Sequence, residues 1–239
     1  MRAKDLLACA LALGLGFVSA SARARPVDVA LVLAIDVSGS VDESRFQLQR
    51  AGYAAAFAAS DIADAVASGE NHAIAVTLVE WSGATNQKQM IGWTVISDAA
   101  SAAEFAQVVA QTPRAFADLT SISGAIDYAA DLLRHCPFQA ARSVIDVSGD
   151  GSNNNGREAD EARDDAVAAR ITINGLPILT ENWNLDDYYR DHVIGGPSAF
   201  LVPAKDFAAF GTAIRDKLVR EIAAAPSASE AEVASLHRR

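Results

Sequence analysis

Apolar residues along this chain gather into six short runs separated by stretches of helical spacing. The first run, Val27 to Ile35 (VDVALVLAI), is apolar almost throughout and rich in Val, Ile and Leu. That pattern predicts a strand buried on both faces, as at the centre of a parallel sheet. His72 to Trp81 predicts a second strand and Gln89 to Ile96 a third. The short polar connection beginning at Gly83 marks that third strand as an antiparallel neighbour of the second. Ser143 to Val147, Ile171 to Leu179 and Ala199 to Val202 complete the set. Helical spacing is expected over Asp42 to about Ala59, Asp98 to Gln111, Thr120 to about His135, Arg157 to Arg170 and Lys205 to Ala224, with a short helix around Leu185 to Val193. Strands alternating with helices imply an α/β fold: a doubly wound, mostly parallel central sheet with one antiparallel edge strand and helices on both faces.

The ends of the chain have a different character. Arg2 and Lys4 precede an apolar stretch from Leu6 to Val18, and Ala20-Ser21-Ala22 or Ala22-Arg23-Ala24 offers a cleavage site. Residues 1–24 thus read as a signal peptide, too short in its apolar part for a membrane span, and the mature protein is expected to be periplasmic or secreted. Leu6-Leu7-Ala8-Cys9 has the form of a lipoprotein box, but too little apolar sequence precedes Cys9. Residues 25–225 form the expected domain, and the Ala-, Ser- and Glu-rich residues 226–239 a flexible tail. Losing residues 1–24 removes three basic residues and one acidic residue, moving the net charge from −10 to −12. An acidic exported domain argues against nucleic acid or an anionic membrane as partner. Only Cys136 remains after cleavage, so no internal disulfide forms and stability must come from the core.

Candidate chemistry begins where the first apolar run stops. Asp36-Val37-Ser38-Gly39-Ser40 places one carboxylate and two hydroxyls at alternate positions just past a buried strand. A turning backbone would converge these oxygens into a hard-ligand site suited to Mg²⁺, Mn²⁺ or Ca²⁺. The same residues would also suit the cap of the next helix. Two later segments favour the cation. Thr120 stands at the start of a helix, and Asp150 follows the fourth strand in Ser148-Gly149-Asp150-Gly151. In a doubly wound sheet the ends of strands one and four meet at the switch point, so Asp36 and Asp150 are expected to face each other. Two close carboxylates repel unless one is protonated or a cation lies between them.

With Asp36-Val37-Ser38-Gly39-Ser40, Thr120 and Asp150-Gly151 in this order, the chain resembles the von Willebrand factor type A domain and its metal-ion-dependent adhesion site. The resemblance spans Val27 to about Ala224. Within that superfamily it is most similar to a group of exported bacterial proteins without an assigned function, through EWSG (Glu80 to Gly83), DVSGDG (Asp146 to Gly151), ITINGLPIL and YYRDHVIGGP. It implies direct metal contacts from Ser38, Ser40 and Thr120, with Asp36 and Asp150 binding directly or through water. An acidic group from a partner would complete the shell. The sequence departs from the superfamily pattern where Asp118 and Leu119 replace two glycines before Thr120, Ser123 replaces a frequent glycine, and Gly149 stands where threonine is common.

The functional expectation is a binding module that recognises an acidic group of a protein or peptide through a divalent cation, Mg²⁺ first. A metal-dependent hydrolase and a structural domain with a stabilising cation are the alternatives. No GxSxG elbow, P-loop or GxGxxG sequence is present, and no catalytic base or nucleophile stands out, so the chain is expected not to be an enzyme. Asp118 is expected to be a solvated loop residue, Glu80 either a supporting acid or a rim charge, and His192 structural. The long connection from Thr180 to Pro197 leaves the same sheet end as the metal and concentrates Trp183, Tyr188, Tyr189 and Arg190. These four are the candidates for partner contact, at least two of them expected to be solvent-exposed, because such residue types dominate interface energetics; the alternative is that the aromatics pack inward and anchor a short helix.

Overall fold

β1 (Pro26–Asp36) is buried over nearly its whole length because it has sheet neighbours on both sides and helices on both faces. A computed structural model of the protein describes residues 25–180 and 183–223. The expected signal peptide, residues 1–24, and the tail, residues 226–239, lie outside the described residues. β1 pairs in parallel with β2 (Ile74–Trp81) on one side and with β4 (Gln139–Gly149) on the other. β3 (Gln87–Ile96) adds an antiparallel edge next to β2, and β5 (Ile171–Pro177) a parallel one next to β4. The order is β3-β2-β1-β4-β5, so the chain reverses direction across the sheet between β1 and β4. That reversal places Asp36 and Gly149-Asp150 at adjacent strand ends.

Alternation along β1 divides the core. Val29, Leu31, Leu33 and Ile35 face one layer, which contains α1 (Glu43–Ala58), α3 (Ala99–Gln111) and α7 (Phe210–Ala223). Ala30, Val32 and Ala34 face the other, with α4 (Ile122–Arg134) and α5 (Ala159–Ala168). Small alanines on that face let α4 approach the sheet closely, and α4 has a well-segregated apolar side. α1 begins at Asp42, whose carboxylate accepts from the Arg45 amide at 2.8 Å, and breaks at Ala59 in extended conformation. A short helix not anticipated from the sequence, α2 (Ser60–Ala67), follows that break.

One sequence expectation is corrected beyond β5. The strand expected over Ala199 to Val202 is reduced to isolated bridges, Gly175 with Leu201 and Ile178 with Ala204. Pro197 and Pro203 lack the N–H that a ladder needs, and Ser198 has a positive φ of 58°. The short helix expected around Leu185 to Val193 is present, as one α-helical turn, α6 (Leu185–Tyr188), that continues as a π-turn over Tyr189–Val193.

Behind the sheet, a charged cluster is sealed off from solvent. Lys217 on α7 places its ammonium 2.6 Å from Asp146 of β4 and 3.2 Å from Glu221 one turn on. Asn174 of β5 donates to Glu221 at 2.7 Å and accepts from the Phe200 amide at 2.9 Å. One cation between two anions ties α7 to both strands.

Candidate metal site

The Asp36 loop is folded by its own side chain. Asp36 is fully buried, and its Oδ1 accepts from the Ser38 amide at 2.7 Å, which turns the backbone so that positions 36, 38 and 40 point inward together. Gln49 on α1 donates to the Asp36 carbonyl at 3.0 Å, and Arg114 donates to the carbonyls of Val37 and Ser38, both at 2.9 Å. The Gly39 amide donates to the Asp118 carbonyl at 2.7 Å. The loop is therefore fixed from α1 on one side and the 112–121 connection on the other.

Hydroxyls then link the two carboxylates. Ser38 Oγ lies 3.2 Å from Ser40 Oγ, and Ser40 Oγ donates to Asp150 Oδ1 at 2.6 Å. Arg45, in the first turn of α1, donates to the Ser40 carbonyl at 2.8 Å and reaches Asp150 Oδ2 at 3.4 Å while its guanidinium lies over Phe207. Gly39 and Ser40 are exposed, so the site opens to solvent there. Thr120 is nearly buried and stands against Gly151, where a β-carbon would lie 3.7 Å from Thr120 Oγ1. The structure thus brings Asp36, Ser38, Ser40 and Asp150 together, with Thr120 alongside.

Three consecutive asparagines hold the outer wall, a role not recognised in the sequence. Asn154 accepts from the Thr120 amide at 2.9 Å and returns its own amide to the Thr120 carbonyl at 2.9 Å. Asn153 accepts from the Ser123 amide at 3.1 Å, and Asn155 from the Ala84 amide at 2.7 Å. Asn153 and Asn154 thus hold the entry into α4 at 120–123, and Asn155 holds the turn between β2 and β3. Three asparagines, separated from the strand-end Asp150 by Gly151 and Ser152, were the available signal. The Asp118 carboxylate is engaged by Asn86 at 2.8 Å and by the Leu119 amide, not by the site.

Asp36 Oδ2 is buried and has no hydrogen-bond partner. Burial, followed by the charge of Asp150, pushes the Asp36 carboxyl up to about 7. A carboxylate held this way is a poor anion alone and a good ligand for a cation. Among the described residues no three His, Cys, Asp or Glu side chains cluster, so a cation here would rest on two carboxylates and hydroxyls. Such a sparse oxygen set fits Mg²⁺, which keeps several waters.

Glu80, at the end of β2, is also buried, accepts from the Ala115 amide at 2.7 Å and is pushed up to about 7 by burial. It supports the loop that carries Thr120. Raised carboxyls contribute stability that is full below about pH 4 and is lost as pH rises through about 7. The metal-free domain should therefore lose this share of its stability across that window, and Asp36→Asn should lose less of it than the parent. Thermal unfolding with chelator at a series of pH values checks this; superimposable pH profiles would contradict it.

The candidates for partner contact divide. Trp183 is 87% exposed, and Arg190 is exposed and paired with Asp186 and Asp187. Tyr188 is half-buried, its hydroxyl accepting from the Asn153 amide at 3.3 Å and its ring stacked on His192. Tyr189 is corrected: it is fully buried and presents nothing to a partner. Its ring crosses the sheet over two bare positions. A β-carbon on Gly175 would lie 2.7 Å from its Cδ1, and one on Gly149 would lie 2.9 Å from its hydroxyl and 2.8 Å from Asp36 Oδ2. Burial, then the charges of Asp36 and Asp150, push the phenol well above its ordinary range, so it stays a proton donor.

A family model described as "Protein of unknown function (DUF1194)" matches residues 26–226. No curated protein matches the chain. Among solved structures it is similar to a von Willebrand factor type A protein from Catenulispora acidiphila, with a TM-score of 0.56 and 16% identity, over 82% of this chain and 43% of that one. It is similar to proximal thread matrix protein 1 from the mussel byssus, solved with a zinc-occupied MIDAS motif (TM-score 0.57, 12% identity, 84% and 49% covered). The pilus adhesin SpaC from Lactobacillus rhamnosus GG, in its open conformation, also matches (TM-score 0.57, 13% identity, 84% and 30%). The chain spans less than half the length of each of these three structures. The fold is that of a von Willebrand factor type A domain.

Proposed function

We propose that this chain, which belongs to the DUF1194 family, is an exported binding module that engages an acidic group of a protein or peptide through a divalent cation. The observation carrying this reading is the convergence of Asp36 and Asp150 at adjacent strand ends, with Asp36 Oδ2 buried and unpartnered. Ser38, Ser40 and Thr120 would hold the ion with the two carboxylates, Mg²⁺ fitting this set best and Mn²⁺ or Ca²⁺ being its alternates. A bound Mg²⁺ would supply an open coordination position for a carboxylate at the exposed Gly39-Ser40 rim. The zinc-occupied motif of the mussel protein and the adhesin identity of SpaC support both halves of the proposal. Binding rather than catalysis is the reading because the side chains flanking the proposed ligands, Gln49, Arg114, Asn153, Asn154 and Asn155, are engaged in holding backbone.

Trp183 supplies exposed apolar area in a segment tied to the same sheet end through Tyr188 and Asn153. The test is capture of partners from periplasmic or culture fractions by the immobilised domain, with Mg²⁺ or with chelator. Capture should require Mg²⁺ and be lost in Asp36→Ala. Trp183→Ala should weaken capture severalfold while leaving Mg²⁺ affinity unchanged, since the indole touches no proposed ligand. Capture that is indifferent to chelator would refute the proposal.

A further inference from the structure

The unpartnered oxygen of Asp36 is not the only one at that spot. Tyr189 OH is also buried without a hydrogen-bond partner. Both atoms lie beside Gly149, each within 2.9 Å of where a β-carbon on that residue would lie. Two unpaired oxygens in one sealed space, one an acceptor and one a donor, are costly unless something brings them into use. The molecule has gone to some length to place them there. Gly175 leaves the sheet bare for the ring, and Gly149 leaves room for its hydroxyl. The π-turn over Tyr189–Val193 delivers the ring from the β5 side, where the Ile194 amide donates to the Tyr189 carbonyl at 2.9 Å. π-turns inside helices recur at functional sites.

We infer that Tyr189 is a positioning residue of the cation site, its phenol donating a hydrogen bond to Asp36 Oδ2 in the cation-loaded protein. The inference rests on the cation site proposed above. Ser38 N already occupies Asp36 Oδ1, so a donor on Oδ2 would fix the carboxylate plane from both sides. In this chain the phenol stands where a side chain at position 149 would otherwise reach toward Asp36. A hydrogen bond that strengthens only when Asp36 serves a cation contributes to metal affinity and not to the metal-free fold.

Tyr189→Phe removes the hydroxyl and keeps the ring, so folding is preserved. Mg²⁺ titration calorimetry on the parent and variant should show about tenfold weaker binding in Tyr189→Phe, equivalent to 1.4 kcal/mol. Thermal unfolding in chelator should show the variant's midpoint unchanged or raised, because an unpaired buried hydroxyl has been removed. Equal Mg²⁺ affinity in the two proteins overturns this inference and leaves the cation site standing. A lower midpoint in chelator also overturns it, by assigning the hydroxyl to the fold. Absence of Mg²⁺ binding by the parent overturns the cation site and this inference together.

Discussion

Replacing Lys217 with methionine is expected to destabilise the domain by about 3–5 kcal/mol, the usual cost of removing one member of a buried ion pair. Lys217, Asp146 and Glu221 are each fully buried, and the ammonium contacts both carboxylates. Methionine fills much the same volume, so the loss is electrostatic rather than a cavity. For a domain of this size the midpoint of thermal unfolding should fall by roughly 6–20 °C. Adding Asp146→Leu should recover part of the loss, because one stranded carboxylate is removed with its partner. A single variant as stable as the parent would mean that the carboxylates are protonated and the cluster carries no net pairing energy.

The second large effect is at the site. Asp36→Ala should weaken Mg²⁺ binding at least a hundredfold while the domain remains folded. The lost interactions are one 2.7 Å hydrogen bond from the Ser38 amide and any cation contact, against relief of the repulsion with Asp150. The parent should gain about 2.7 kcal/mol of stability at a hundredfold excess of Mg²⁺ over its dissociation constant, and the variant almost none. Circular dichroism confirms the fold, and unfolding with and without Mg²⁺ measures the difference. Equal metal-induced stabilisation of both proteins would contradict the assignment of Asp36.

These two predictions differ in how far the sequence revealed them. Asp36, Ser38 and Ser40 were legible because an uninterrupted apolar strand stops at a carboxylate and alternating hydroxyls follow. Asp150 was legible for the same reason at the end of β4, and the alternation of strands and helices placed the two strand ends side by side. The sheet itself followed from apolar runs and short polar connections, including the antiparallel β3. Lys217 was not legible, since Lys and Glu spaced by four on an amphipathic helix ordinarily face water. Only the register that sets Asp146 and Asn174 beneath α7 buries them. Tyr189 was misassigned for a related reason. An aromatic pair in a long connection looks like exposed anchoring surface, and its burial depends on two glycines in different strands being bare at neighbouring positions. The strand expected at Ala199 to Val202 failed because two prolines and a positive φ limit it to single bridges. Strand ends and their order across the sheet were read correctly, whereas the burial of Lys217 and Tyr189 depends on which side chains the register sets against each other.

The central claim is that a divalent cation sits between the ends of β1 and β4. Crystals of the mature domain grown with Mn²⁺, measured at a wavelength with strong manganese anomalous scattering, test it most directly. The account predicts one anomalous peak within about 2–4 Å of Asp36, Ser38, Ser40, Thr120 and Asp150, with oxygen ligands and at least one water. Well-ordered density there with no peak, and the hydrogen bond from Ser40 to Asp150 still intact at 2.6 Å, would contradict it.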